Sequence, residues 1–196
     1  MEVTIQDMMD ARERRAARQK ALLERCRRTL LCFTMNIPGP EKDNALIRQG
    51  MDIGHALLAE RFLRLGIEPL FQEFVAARTG CERFYVLPLT PEEAKRAGTD
   101  IEEGSPLGRL FDMDVIRPDG AKVERQEIGL PGRRCLICGK EVWACARART
   151  HSAAELRERT NAILRAAIFR SDRSQTKTEG VCQRSEERRV GKECRS

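Results

Sequence analysis

Two short stretches of this 196-residue chain concentrate residues able to do chemistry. The first is Ser105–Val115, S-P-L-G-R-L-F-D-M-D-V, in which Asp112 and Asp114 interrupt an apolar run. Alternate residues of a β-strand share a face. Both carboxylates therefore point one way, while Phe111, Met113 and Val115 point the other way, into a core. Side-by-side carboxylates repel unless a cation or a proton lies between them, and Mg²⁺ commonly takes one or two carboxylates plus substrate phosphates. Gly104-Ser105 and Gly108-Arg109, just upstream, add pliable backbone and a cation that can meet such phosphates. The plain alternative is a solvated strand edge. The second stretch runs from Arg133-Arg134-Cys135-Leu-Ile-Cys138 to Cys145 and His151, with the spacing C-x2-C-x6-C-x5-H. Soft thiolates with one imidazole suit a tetrahedral zinc ion. The same residues also read as buried thiols with Cys145 inside a helix, or as a redox pair at Cys135 and Cys138.

The elements that must position these residues follow from pattern and punctuation. Asp10–Arg28 is rich in Ala and Leu, lacks Gly and Pro, and crowds Arg and Lys on one side, which predicts a basic helix. Its basic face suits phosphates, an acidic protein or plain solvent. Without interleaved aromatic residues it offers no platform for stacked bases, which argues against nucleic acid. Thr29–Ile37 is a continuous apolar run and predicts a buried strand. It ends in Pro38-Gly39-Pro40-Glu41-Lys42-Asp43, a stiff turn that sets Lys42 near the start of the next helix, where an anion is favoured. Asn44–Leu65 places Ile47, Met51, His55, Leu58 and Phe62 on one stripe, and Gly66 ends that helix. His55 on this stripe reads as a satisfied histidine rather than a catalytic base. Leu70–Ala77 and Glu82–Leu89 read as strands around Arg78-Thr79-Gly80. Thr90-Pro91 opens a short helix to Gly98. Arg117–Gly120 is a turn, Lys122–Ile128 a returning strand, and Thr150–Phe169 a final helix. This order predicts one α+β domain over residues 29–170, with a mixed or largely antiparallel sheet flanked by helices and preceded by the basic helix of residues 1–28.

No run approaches the roughly 18 apolar residues of a membrane span. The acidic start, M-E-V-T-I-Q-D-M-M-D, lacks the apolar core of a signal peptide. A cytoplasmic protein is expected, and its eight cysteines are then thiols or metal ligands rather than disulfides. Residues 184–196, R-S-E-E-R-R-V-G-K-E-C-R-S, look like a translated sequencing adapter. This segment holds five Arg or Lys and three Glu, and so two of the six net positive charges; it is set aside with Cys194. The polar stretch 171–183 has no core pattern and is expected to be disordered.

S-P-L-G-R-L-F-D-M-D-V (Ser105–Val115), L-P-G-R-R-C-L-I-C (Leu130–Cys138), C-A-R-A-R-T-H (Cys145–His151) and F-T-M-N-I-P-G-P-E-K-D (Phe33–Asp43) together resemble the apo-citrate lyase phosphoribosyl-dephospho-CoA transferase family, also called holo-citrate lyase acyl carrier protein synthases. The resemblance runs roughly from Thr29 to Arg165. It implies transfer of the 2'-(5''-phosphoribosyl)-3'-dephospho-CoA group from its triphosphoribosyl precursor to a serine of the citrate lyase acyl carrier subunit, with release of pyrophosphate. It implies that Asp112 and Asp114 hold Mg²⁺. Arg109 and Lys42 would meet the triphosphate, and Arg133 and Arg134 the triphosphate or the CoA diphosphate. One of the aspartates, or a third carboxylate such as Glu127, would accept the serine proton. The related transferase of malonate decarboxylase looks like a nucleotidyltransferase built on paired aspartates, which extends the expectation to a nucleotidyltransferase-like fold. The resemblance gives no role to Cys135, Cys138, Cys145 and His151, which stay open between structural zinc and packed thiols. The competing reading is a non-enzymatic zinc-binding adaptor whose basic helix grips an acidic carrier protein or nucleic acid.

Overall fold

A computed structural model describes residues 2–169. Helix α1 (Ile5–Cys26) begins ahead of the expected Asp10 because Thr4 and Asp7 cap it reciprocally. The Thr4 amide donates to Asp7 Oδ2 at 2.8 Å and the Asp7 amide donates to Thr4 Oγ1 at 3.1 Å, which satisfies two donors that a helix start otherwise leaves unpaired. Strand β1 (Thr29–Met35), helix α2 (Ala45–Arg64), strands β2 (Phe71–Ala77) and β3 (Gly80–Leu87), helix α3 (Pro91–Gly104) and strand β4 (Phe111–Ile116) follow. A short helix α4 (Val142–Ala148) and a last helix α5 (residues 153–169) complete the described chain.

The sheet order is β2-β3-β1-β4, and every pairing is antiparallel. Each helical crossover, α2 and α3, skips one strand position. This is the β-α-β-β-α-β topology of split β-α-β units, and it bears out the expected α+β architecture. Two cores result. On one face Leu30, Cys32, Phe84, Val86 and Ile116 receive Leu22 and Leu23 of α1. On the other, Phe33, Tyr85, Phe111 and Met113 pack with Met51, Leu58 and Phe62 of α2, Ile101 of α3 and Leu164 of α5. Phe33 and Phe111 meet edge to face, their centroids 5.2 Å apart and their planes at 85°.

Three further segments depart from the sequence reading by more than two residues. Helix α3 runs through Gly98 to Gly104, since a hydrogen at Gly98 leaves room for Met113, whose Cβ would lie 3.2 Å from an added methyl. Helix α5 starts at residue 153, capped by Ser152, whose hydroxyl accepts from the Glu155 amide at 3.2 Å. Lys122–Ile128 is not a strand. It makes a single bridge, Ile116 to Lys122, then closes a 3-10 turn at Arg125–Ile128. Glu124 and Glu127 cap that turn reciprocally, and Gly129 ends it in the left-handed region at φ 77°, so the backbone coils instead of extending.

Strand β4 is an edge strand, and an edge exposes unpaired backbone groups. Here the outer edge is met by other groups. The Phe111 carbonyl accepts from Arg133 at 2.6 Å, the Met113 amide donates to Glu102 Oε1 at 2.8 Å, and the Met113 carbonyl accepts from Lys95 Nζ at 3.2 Å. The Val115 carbonyl accepts from the Val123 amide at 2.9 Å. The strand that carries the paired aspartates is thus pinned on both edges.

Candidate active site and metal centre

Asp112 and Asp114 do share a face. Their backbones pair with Thr34 and Cys32 of β1, on the side of the sheet that α1 crosses. Phe111, Met113 and Val115 are buried on the opposite side. The two carboxylates are 44% and 33% exposed, so water or a ligand reaches both. Each has a cation beside it. Lys122 Nζ donates to Asp114 Oδ2 at 2.6 Å, and an Arg133 nitrogen lies 3.7 Å from Asp112 Oδ1. Burial works against the charge on Lys122, but the Asp114 hydrogen bond and the nearby Asp112 outweigh it and hold the ammonium above its ordinary pKa. Two half-exposed carboxylates on one strand face are the donor set that Mg²⁺ asks of a protein when phosphates complete its shell.

Arg133 ties this pair to a buried acid. Its guanidinium lies 2.5 Å from Glu102 Oε1, and Arg125 reaches Glu102 Oε2 at 3.3 Å. The Glu102 side chain is only 4% exposed. A buried carboxylate needs such partners, because leaving it unpaired costs several kcal/mol. Glu102 therefore fixes Arg133, and Arg133 reaches Asp112.

Two cavities meet at this point. The smaller, about 160 Å³, brings Asp112 together with Lys42 and with Arg12 and Arg15 of α1. Lys42 Nζ donates to the Ile37 carbonyl. Burial first, and Arg12 second, lower its pKa, as expected where cations gather without enough acid. Arg15 also pairs with Glu82 of β3 at 2.7 Å, so the basic face of α1 is partly turned inward. The larger cavity, about 460 Å³, is lined by Arg109, Arg133, Arg134 and Arg149 and by aliphatic side chains such as Leu110 and Leu156. Burial first, then Arg133 and Arg125, lower the pKa of Arg109.

The sulfur cluster forms one wall of that larger cavity. The ligand atoms of Cys135, Cys138, Cys145 and His151 all lie within 4.8 Å of one another, so the four residues could hold a metal ion. A tetrahedron with metal–sulfur bonds of about 2.3 Å spaces its ligands about 3.8 Å apart. Cys138 and Cys145 Sγ are 3.3 Å apart. The loop has the shape of a metal knuckle. The Cys135 amide donates to the Lys140 carbonyl, the Ile137 amide donates to Cys135 Sγ at 3.5 Å, and Gly139 turns the chain at φ 69°. His151 Nε2 is buried with no hydrogen-bond partner among the described residues. The neighbouring His151 imidazole, helped by the Lys140 backbone and Cys145, pulls the Cys138 thiol down to about 6. Cys145 is pushed up to about 11, chiefly by its hydrogen bond to Cys138. The six described cysteines are all free.

The residues singled out in the sequence thus fall into three neighbouring groups. Asp112, Asp114 and Lys42 lie at the α1 side of the sheet. Arg109, Arg133 and Arg134 line the larger cavity, and Cys135, Cys145 and His151 of the cluster close it. His55 stands apart, its Nδ1 2.8 Å from the Tyr85 hydroxyl. Glu127 is committed elsewhere, to Arg117 at 2.6 Å and to the Glu124 amide. Glu102, Lys122, Arg15 and Arg149 were not singled out. Lys122 stands eight residues beyond Asp114, a spacing that a tight turn returns to the same strand, and this was the one available signal. The tail read as adapter-like and the stretch 171–183 lie outside the described residues.

Comparison with known proteins supplies the family. The family model for apo-citrate lyase phosphoribosyl-dephospho-CoA transferase matches residues 3–167, from the start of α1 into α5. A protein of that name from Citrobacter koseri is 36% identical over 162 residues, covering 83% of this chain and 88% of its own length. Namesakes from Escherichia coli O1:K1 and Shigella boydii serotype 18 are 34% and 33% identical over the same coverage. No described helix is long and apolar enough to cross a membrane. With a match of this extent, the chain belongs to the apo-citrate lyase phosphoribosyl-dephospho-CoA transferase family.

Proposed function

We propose that this protein transfers the phosphoribosyl-dephospho-CoA group to the acyl carrier subunit of apo-citrate lyase in the cytoplasm. The donor is the triphosphoribosyl precursor and the acceptor a serine hydroxyl. The hydroxyl oxygen attacks the α-phosphorus, a phosphodiester forms, and pyrophosphate leaves with the electron pair of the broken P–O bond. The observation that carries this reading is the position of Asp112. It lines a small cationic cavity and lies 3.7 Å from Arg133, which lines the larger arginine-rich one, and Asn36 borders both.

Such chemistry depends on placement and charge stabilisation more than on covalent help from the protein. Lys42, Arg12 and Arg15 supply positive charge beside Asp112 for a triphosphate. Arg133 is held by Glu102 so that its guanidinium is aimed before substrate arrives, which lowers the cost of reorganisation during reaction. Mg²⁺ bound by Asp112 and Asp114 would neutralise phosphate charge and orient the leaving pyrophosphate. Lys122 and Arg133 screen the carboxylates from each other until then.

The test is direct. The purified chain, apo carrier subunit, triphosphoribosyl-dephospho-CoA and Mg²⁺ are mixed, and the intact mass of the carrier is recorded. A gain equal to the phosphoribosyl-dephospho-CoA group is expected, absent without Mg²⁺ and slowed at least 100-fold by Asp112→Asn or Asp114→Asn. Unchanged rates in both variants would remove the aspartates from the reaction. No mass gain from folded protein would overturn the assignment of donor or acceptor.

A further inference from the structure

The larger cavity and the sulfur cluster are built from the same segment. Arg133 and Arg134 immediately precede Cys135, and Arg149 stands between Cys145 and His151. Within residues 129–152 the regular structure amounts to the seven-residue helix α4 and the bridge from Arg134 to Glu141. This segment turns Ile137, Val142 and Trp143 outward, so it has little apolar burial of its own to fix its shape. Small loop-rich units of this kind need a metal or a disulfide in place of a core. The buried, unpartnered His151 Nε2 beside three converging thiols supplies the missing element.

The cavity walls carry an excess of positive charge. Among the described residues, Arg109 and Arg149 have no carboxylate partner, Arg134 touches only the Gly139 carbonyl at 3.3 Å, and no acidic side chain lines the space. Guanidinium groups favour phosphate oxygens through paired N–H donors. The aliphatic remainder of the wall offers contact area to a base or a carbon chain, and about 460 Å³ is the size of a cofactor pocket.

We propose that Cys135, Cys138, Cys145 and His151 bind a zinc ion that serves as a strut for this cavity, and that the cavity takes the dephospho-CoA part of the donor by its 5'-diphosphate. The zinc has no role in the transfer step; it holds Arg134 and Arg149 in place. The ligand assignment rests on the transfer reaction proposed above, whereas the zinc assignment does not.

The experiment uses the full chain and 3'-dephospho-CoA as probe. Metal analysis of the purified protein should find one zinc per chain. Trp143, the only tryptophan, lies on α4 two residues from Cys145, so its fluorescence follows zinc removal, and calorimetry measures ligand binding. Zinc-loaded protein should bind dephospho-CoA. Chelation should weaken binding at least 10-fold, and added zinc should restore it. Arg134→Ala and Arg149→Ala should each weaken binding at least 10-fold with zinc content unchanged, which keeps the test decisive if chelation unfolds the chain. A folded protein without zinc overturns the strut. Unaltered dephospho-CoA affinity in both arginine variants overturns the cavity, even where transfer to the carrier proceeds. Zinc- and arginine-dependent binding without carrier modification upholds the cavity and rejects the acceptor instead.

Discussion

Glu102 shows how a residue with no motif around it can decide the geometry of a site. Its buried carboxylate accepts from the Met113 amide, from Arg133 and from Arg125. One acid thereby satisfies the edge of β4 and aims the cation that reaches Asp112. Replacing it with alanine leaves the Met113 amide without its acceptor and takes the buried acid from Arg133, which keeps the Phe111 carbonyl, and from Arg125, which keeps Glu103. Breaking a buried charge pair from one side typically costs about 3–5 kcal/mol. Arg125 and Arg133 keep 13% and 23% exposure and can turn partly to water, so about 2–3 kcal/mol is expected for Glu102→Ala, read from denaturant unfolding. Glu102→Gln keeps an acceptor for Met113 and should lose less stability, but it still frees Arg133. Transfer should therefore fall more than 10-fold in the glutamine variant while most of the stability remains. Equal losses of stability in the two variants would mean that the Met113 contact contributes nothing, and unchanged transfer in the glutamine variant would reduce Glu102 to a backbone cap.

At the scale of elements, the fit of α2 on the sheet depends on two glycines that are not equivalent. A methyl added at Gly54 would lie 2.4 Å from Phe33 Cζ and 3.1 Å from Phe111 Cε1, against the edge-to-face ring pair in the core. A buried ring cannot move aside without disturbing its partner, and overpacking of this kind costs about 1–3 kcal/mol. A methyl at Gly50 would meet the ends of Leu164 and Met35 at 2.8 and 3.0 Å, and those can rotate away. Alanine also gains about 0.8–1 kcal/mol over glycine inside a helix. Gly54→Ala should thus lower stability by about 1–2 kcal/mol, whereas Gly50→Ala should be close to neutral, both read from thermal unfolding. Similar losses at both positions would mean that α2 is held by the whole stripe rather than at the Phe33 contact. The stripe itself was legible in the sequence, as were β1, the β2–β3 hairpin and the face shared by Asp112 and Asp114, because each depends on local periodicity. The Cys/His grouping was legible for the same reason, its ligands falling within one short span. Glu102 and Arg15 were not, since they reach the site through packing of distant segments, and Arg149, although it lies between Cys145 and His151, is one arginine among several there with no pattern to mark it. Lys122–Ile128 misled because Val123 and Ile128 are both buried, a sign of burial that does not distinguish a strand from a coiled turn.

Across the whole molecule, surface carboxylates are set into helix starts and arginine pairs, and this links stability to pH. Asp7 is held below the usual carboxylate range by the Thr4 backbone and hydroxyl and then by Arg78. The Thr90 amide and hydroxyl do the same for Glu93, Arg48 for Asp43, Arg117 for Glu92, and Ser152 for Glu155. Each of these groups loses its proton more readily folded than unfolded. As pH falls, the unfolded chain takes up protons first, so the stabilisation present above the ordinary carboxylate pKa of about 4 is lost through and below that value. His55 acts in the same direction at higher pH. Burial, followed by Arg83, lowers its pKa, so the unfolded imidazole protonates first and a small loss begins near the ordinary histidine value of about 6.5. The urea midpoint should therefore hold above pH 7, sag slightly toward pH 5 and fall steeply below about 4.5. Loss of the zinc proposed above from protonated thiols would also weaken the fold in acid, which a variant separates from the carboxylates. Asp7→Asn combined with Glu93→Gln removes the titrating groups of two caps and leaves the cysteines untouched. That variant should be less stable than the parent at pH 7, decline less steeply in acid, and approach the parent near pH 3. Parallel curves for the two proteins would remove these two caps as the source of the acid loss.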